Sequence, residues 1–335
     1  MKFVCFMRIL LFKIGALGDV LMTAPLVRQL RRNFPYAKID YLIGKSSSII
    51  LKNNKHINSI IKFDESTFTK RKLLSWFKLI SKIKKKKYDL IFVLDKHWIF
   101  NLTAFFFRIK KRIGFDRIGK EGIFLTDKIH YEKVRHEVYY YLDLLKFLDV
   151  KADYKDFKYD LFLSKKDKDF ADKVWEKNKL SGKKVIGIAP GGGNVADKWS
   201  YMRIYPVKKY IKLIKKLLKK GYYIILLGKS KEDIIIANKI SNSINSKKIL
   251  NFIDKTNIYQ TAALMQKCSR IYCNDSGAMH IAASVNENIH SFFIVTHPLK
   301  KAPLWKRSSY KWLYKNIYNP KCELFGDYNK YKKYL

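Results

Sequence analysis

Short apolar runs alternate with amphipathic stripes along nearly the whole chain. The first run, residues 9–12 (Ile-Leu-Leu-Phe), is too short for a typical helix and is stopped by Lys13 and then Gly15 and Gly18. It predicts a buried strand entering a tight loop. Beyond the loop the period changes. Val20, Ala24, Val27 and Leu30 recur every three or four residues among Arg28, Gln29, Arg31 and Arg32, which is the stripe of an amphipathic helix. Strands are predicted again at 38–44, 88–94 and 112–116, with a short apolar piece at 57–63. Helices are predicted over 70–87, 101–108 and 136–148. In the first of these, Leu73, Leu74, Phe77, Ile80 and Ile83 fall on one side with lysines elsewhere, a charge best read as a solvated face.

A polar stretch at 149–158, the apolar triplet 161–163 and a charged helix opening at Ser164 suggest a domain junction. The second half repeats the architecture, with strands at 184–189, 222–228, 250–253 and 270–274. Its helices follow at 206–220, from Glu232 and Asp233 onward, at 258–268, and from about Gly277. Alternation of this kind predicts doubly wound parallel sheets, which bind ligands at the carboxyl ends of their strands. The expected division is 1–158, 159–316 and a basic, aromatic tail at 317–335. That tail is read either as a closing helix packed back on the first domain or as a contact surface for an anionic membrane.

Charge changes the picture most. With 69 Lys and Arg against 28 Asp and Glu, the 335-residue chain carries a formal +41. Such a surface attracts anionic partners: nucleic acid, an acidic bilayer face, or phosphorylated lipids and sugars. The cations are spread over many helices and form no recognised module, which argues against a nucleic-acid-binding protein. Cys5, Cys268, Cys273 and Cys322 include no C-x-x-C pair, so free thiols in a reducing cytosol are expected, without a metal site. Residues 1–12 are interrupted by Arg8 and lack a cleavage site, so no signal peptide is expected. No run reaches the eighteen or so uncharged residues of a membrane span, so a soluble or peripheral protein is expected.

Three loops carry candidate chemistry. Lys13 and Asp19 flank the first. Spacing alone favours Asp19 as a helix cap, and the competing reading is a general base with Lys13 as its charge partner. Gly15 and Gly18 do not form G-x-G-x-x-G, which argues against a dinucleotide-dependent oxidoreductase. Asp95, Lys96 and His97 follow a strong strand and would share the first loop's edge in a parallel sheet. In the second half, residues 190–194 (Pro-Gly-Gly-Gly-Asn) let backbone N–H groups approach an anion, and Lys198 and Trp199 come next. At 274–280 (Asn-Asp-Ser-Gly-Ala-Met-His) a strand turns into a helix whose free N–H groups point to where a phosphate would sit. Taken singly, Asp275 reads as a cap and His280 as a core histidine.

Together these motifs resemble a known family. Lys13 through Pro25 with Arg31, Phe34 and Pro35, then Tyr88-Asp89, Ile113 to Asp116, His136, Pro190-Gly191-Gly192 with Lys198-Trp199, and Asp275 to His280 occur in the order seen in the heptosyltransferases. These are the inverting glycosyltransferases of family nine, which build the inner core of bacterial lipopolysaccharide. The resemblance implies a GT-B fold, two Rossmann-like domains facing a central cleft, with the acceptor in the N-terminal domain and the nucleotide sugar, expected to be ADP-heptose, in the C-terminal one. It implies Asp19 as catalytic base and Lys13 as its helper, with the acceptor near Gly18, Asp95 and His97. Lys198 and the Gly192 and Gly193 backbone resemble the diphosphate clamp, Glu232 the ribose partner, and Thr256 to Ile258 the adenine side. Asp275, Ser276, Gly277 and His280 resemble the wall that holds the sugar and its phosphates. No metal or cofactor is implied. The expected partners are a nucleotide sugar, a phosphorylated lipid-linked saccharide and the anionic inner face of the cytoplasmic membrane. Two departures bear on the clamp: Ser200 stands where a proline often follows the Lys-Trp pair, and three glycines replace a more varied run. Retention of Lys13, Asp19, Lys198 and Asp275 argues against a binding relative that has lost activity.

Overall fold

The structure, a computed structural model, describes residues 7–193, 200–313 and 315–325. It divides into two units, Met1–Phe162 and Leu163–Leu335. In the first, β1 (Arg8–Lys13) leads into α1 (Leu17–Leu21) and α2 (Ala24–Asn33), then β2 (Lys38–Gly44), β3 (Ser59–Phe63), α3 (Ser66–Thr69) and α4 (Leu73–Lys84). There follow β4 (Leu90–Val93), α5 (Trp98–Phe106), β5 (Lys111–Asp116), β6 (Asp127–His130) and α6 (Glu137–Asp143). The strands form one six-stranded sheet in the order β3-β2-β1-β4-β5-β6, every pair parallel. Its centre, β1, is buried on both faces, which is why Ile9 to Phe12 read as an unbroken apolar run. Leu10, Phe12, Ile91 and Val93 pack in one cluster with Leu79, Ile80 and Ile83 of α4 and Phe100 and Ala104 of α5.

The second unit has the same design. α7 (Lys165–Lys177) opens with a capping box between Ser164 and Asp167 and precedes β7 (Val185–Ala189), α8 (Val207–Lys219), β8 (Tyr223–Leu226), α9 (Lys231–Ser243) and β9 (Ile249–Asn251). Then come α10 (Ile258–Lys267), β10 (Arg270–Asn274), α11 (Gly277–Val285), β11 (Ile289–Phe293), α12 (Pro298–Lys301), β12 (Ser309–Trp312) and α13 (Pro320–Phe325). Six parallel strands run in the order β12-β11-β10-β7-β8-β9. Two such sheets with flanking helices are the architecture of GT-B folds, and within each sheet all the carboxyl ends share one edge.

Four expectations are corrected. The stripe after the first loop is two helices, because the Thr23 hydroxyl donates to the Val20 carbonyl at 2.7 Å and Pro25 opens a new first turn. The division into units falls after Phe162, inside the expected junction stretch and past the expected bound at 158. The polar stretch before it is tied to α2: buried Gln29 exchanges two hydrogen bonds with the Asp153 backbone (2.8 and 2.9 Å), and Arg28 binds Asp156 and Asp160, each at 2.6 Å. Ahead of the tail the chain forms a strand that was not expected, β12, and the described tail residues bond side chains within the second unit. There Glu323 pairs with Lys300 at 2.9 Å and accepts from the His297 N–H and the Tyr318 hydroxyl. Finally, Ile80 and Ile83 are buried in α4, but Leu73, Leu74 and Phe77 of the same predicted stripe are exposed.

Candidate active-site residues

The carboxyl edge of the first sheet gathers charge. β1 and β4 are parallel neighbours, so Lys13, which ends β1, and Asp95, just past the end of β4, meet. Lys13 Nζ donates to Asp95 Oδ1 at 2.8 Å and the Ile14 N–H to Asp95 Oδ2 at 2.6 Å. The loop between β1 and α1 sits hard against the end of β2. A Cβ on Gly44 would stand 2.3 Å from the Ile14 carbonyl oxygen, so only glycine allows that approach.

Asp19 lies in the first turn of α1, half-buried, beside buried Gly18. The cap position itself belongs to Ala16, and Asp19 stands within the first turn, where the helix dipole favours a carboxylate. Burial of Lys13 works against its ammonium, but attraction to Asp95 and Asp19 and the hydrogen bond to Asp95 outweigh it, and its pKa lies above the ordinary lysine value. Lys13 is thus a buried cation held by two carboxylates. The Asp19 charge also acts on Lys96, Tyr41, Tyr141 and Tyr159.

Beside this pair is Lys96, which the strand pattern places at this edge without a role. Lys96 pairs with Glu137 of α6 and lies 4.0 Å from the centre of the Tyr131 ring, and the Tyr131 hydroxyl donates to the same Glu137. Burial lowers the Lys96 pKa, Glu137 only partly offsetting it, and the Lys13 charge lowers it further. The juxtaposition of two residues next to each other in space but far apart in the chain has no local signature. His97, by contrast, is exposed and caps α5, its Nδ1 accepting from the Ile99 N–H at 3.3 Å. His136 caps α6 in the same way.

In the second unit the sequence-derived residues likewise share the carboxyl edge. The Pro190–Gly191 segment after β7 is pinned from two sides. Asn274, ending β10, donates to the Pro190 and Gly191 carbonyls (2.6 and 3.2 Å), and Asp233 accepts from the Gly191 N–H at 2.7 Å. Asp233 also accepts from the N–H groups of Lys229 and Ser230 and from the Ser230 hydroxyl, closing the capping box of α9. A Cβ on Gly191 would fall 2.3 Å from Asp233 Oδ1. Glu232, next to it, is half-buried and makes none of these bonds. Gly192 is buried and Gly193 adopts φ +86°, while Lys198 and Trp199 lie outside the described residues.

Asp275 is buried and accepts from the Thr296 hydroxyl at 2.6 Å. Ser276 occupies the cap position of α11 without a side-chain cap bond, Gly277 begins the helix, and His280 is buried one turn in. Thr256, after β9, is buried with its hydroxyl 2.8 Å from that of Thr261, and half-buried Ile258 opens α10. Among the described residues no group of three or more His, Cys, Asp or Glu is placed to hold a metal ion, and no helix is long and apolar enough to cross a membrane.

The family described as Glycosyltransferase family 9 (heptosyltransferase) matches residues 76–331. Lipopolysaccharide heptosyltransferase 3 of Escherichia coli K12 is 26% identical over 291 residues, spanning 83% of this chain and 80% of its own. Among solved structures, the family 9 glycosyl transferase of Veillonella parvula superposes with a TM-score of 0.78 at 19% identity, over 92% of this chain and 87% of the other. E. coli heptosyltransferase WaaC, with ADP-2-deoxy-2-fluoro heptose, superposes at 0.71 and 16%, over 91% and 93%. At these identities the structural likeness establishes the fold.

Proposed function

The chain belongs to glycosyltransferase family 9, and from that premise we propose that it transfers a heptose from an ADP-sugar to a lipopolysaccharide-core or similar lipid-linked acceptor with inversion. Its relative in E. coli is named a lipopolysaccharide heptosyltransferase, and a structural neighbour was solved with an ADP-heptose analogue, which supports both donor and acceptor class. The observation that carries the reading is Asp19: a carboxylate in the first turn of α1, beside a buried lysine that stays charged through neutral pH.

Asp19 takes the proton of an acceptor hydroxyl as that oxygen bonds to the anomeric carbon from the face opposite the nucleotide. The bond from the anomeric carbon to the phosphate oxygen breaks, and the electron pair leaves with ADP. Lys13 keeps Asp19 in place and balances its charge, and Gly18, Asp95 and His97 line the acceptor side. Lys198, the Gly192 and Gly193 N–H groups and the N-terminus of α11 receive the charge that grows on the departing diphosphate, so the reaction needs no metal. Asp275, Ser276, Gly277 and His280 face the sugar and its phosphates, Glu232 the ribose, and Thr256 and Ile258 the adenine. A carboxylate is a weak base in water, and exclusion of water when both substrates are bound gives it the strength it needs.

Catalysis takes place at the inner face of the cytoplasmic membrane, where the lipid-linked acceptor lies and where the chain's formal +41 is attracted by acidic lipids. Thermal stabilisation by a panel of nucleotide sugars tests the donor assignment. ADP-heptose raises the melting temperature on this reading. Stabilisation by a UDP- or GDP-sugar and not by any ADP-sugar would reject it.

A further inference from the structure

On the first unit, apolar side chains are exposed in a connected patch. Leu73, Leu74 and Phe77, on the N-terminal half of α4, are 67, 79 and 57% exposed, although Leu79, Ile80 and Ile83 of the same helix are buried in the core. The Trp76 indole joins them to α5. Its Nε1 donates to the Thr103 hydroxyl at 2.8 Å, and its ring centre lies 5.2 Å from that of Phe77 and 5.2 Å from that of Phe106. Phe105 and Phe106, also exposed, extend the patch to Phe124.

Cations border it. From residue 66 to residue 88 the chain has lysine or arginine at 70–72, 78, 82 and 84–87 and no carboxylate, and the Arg112 guanidinium stands 5.5 Å from the centre of the Phe105 ring. Apolar residues this exposed, within a ring of positive charge, fit the headgroup boundary of an acidic bilayer: leucine and phenylalanine enter the acyl edge while lysines stay with the phosphates. A second copy of the chain is a poor occupant, because its own lysines would face these. Nucleic acid would satisfy the cations but leave the most exposed leucines in water.

We infer that α4 and the end of α5 form the face by which the protein docks on an anionic lipid surface, with Leu73, Leu74 and Phe77 inserted and the lysines of α4 on the headgroups. The inference deepens the reading that the acceptor is lipid-linked and rests on it for its purpose. α3, which leads into α4, follows Glu65, and the Glu65 side chain lies beside Gly44 at the same sheet edge as Ile14. The docking face is therefore continuous in the chain with the edge that bears Asp19.

The test is sedimentation of the full chain with vesicles of phosphatidylcholine alone and of phosphatidylcholine with phosphatidylglycerol. The wild type binds the acidic vesicles and, weakly, the neutral ones. Leu73→Gln with Leu74→Gln weakens binding about tenfold by leaving less apolar surface to bury. Lys78→Gln with Lys82→Gln weakens it about thirtyfold at low salt, two surface charges being lost. Both variants keep wild-type stabilisation by ADP and wild-type transfer to a water-soluble acceptor fragment. Failure of the wild type to bind acidic vesicles, wild-type binding by both variants, a change of oligomeric state in the leucine variant, or tight nucleic-acid binding lost in the lysine variant would each overturn the inference. Vesicle binding as expected together with no transfer by the wild type would reject the proposed reaction and leave the docking face standing.

Discussion

Lys13→Met separates two roles that one lysine plays. Its side chain is 5% exposed and that of Asp95 is 12% exposed, so the 2.8 Å pair is buried and the substitution strands a carboxylate. Breaking such a pair from one side costs about 3–5 kcal/mol. Asp95 keeps the Ile14 N–H at 2.6 Å and slight contact with water, which sets the expected loss at the lower end, about 3 kcal/mol. Adding Asp95→Asn removes the stranded charge but can still accept from Ile14, and should return about 2 kcal/mol. Native-state hydrogen exchange of the β1 amides reads these values in the first unit. Because the folded pKa of Lys13 is raised above the ordinary 10.5, the ammonium's contribution is fully present below that pH and is lost only above it. The difference between wild type and Lys13→Met should thus be flat between about pH 6 and about pH 9. Turnover should stay low in the double variant, since the cation beside Asp19 is still missing. A loss under about 1 kcal/mol, or a double variant no more stable than the single one, would refute the buried-pair reasoning. Full recovery of turnover would reduce Lys13 to a structural role.

Other consequences follow from the same geometry. Gly44→Ala places a Cβ 2.3 Å from the Ile14 carbonyl, and should destabilise by about 2–3 kcal/mol in urea titration and lower turnover by shifting the loop before Asp19. Asp233→Ala strands the Gly191, Lys229 and Ser230 N–H groups, and should cost about 2–4 kcal/mol and weaken ADP binding measured by calorimetry. Burial raises the thiol of Cys273 to about 12 and pushes Cys268 up as well, so at pH 8 neither should react with iodoacetamide until urea unfolds the chain, as read by mass spectrometry.

The central strands were legible because a strand buried on both faces must be apolar throughout, as Ile9 to Phe12 and Leu90 to Val93 are. Two of the edge strands were not. β6 is Asp-Lys-Ile-His and β12 is Ser-Tyr-Lys-Trp, since an edge strand with an exposed face need not be apolar. The bound at 158 was drawn ahead of the division after Phe162 because a polar segment reads as a linker until Arg28 and Gln29 are seen to hold it. Of the site, the glycine loops and acidic turns could be found by spacing, but their roles came from a family resemblance. The strand pattern set Asp95 and Lys96 at the first loop's edge, but the bonds they make there could not be found either way. Asp95 beneath Lys13, Lys96 with Glu137, and Asp233 rather than Glu232 under Gly191 exist only once parallel strands bring distant residues to one edge.

Steady-state transfer from ADP-heptose to a lipid-linked core acceptor by Asp19→Asn is the most direct measurement, with thermal stabilisation by ADP recorded on the same sample. Asn keeps the shape and cannot take the proton, so kcat should fall by about 10²–10⁴ while ADP stabilises the variant as it does the wild type. An unchanged kcat would contradict the assignment of Asp19 as the base.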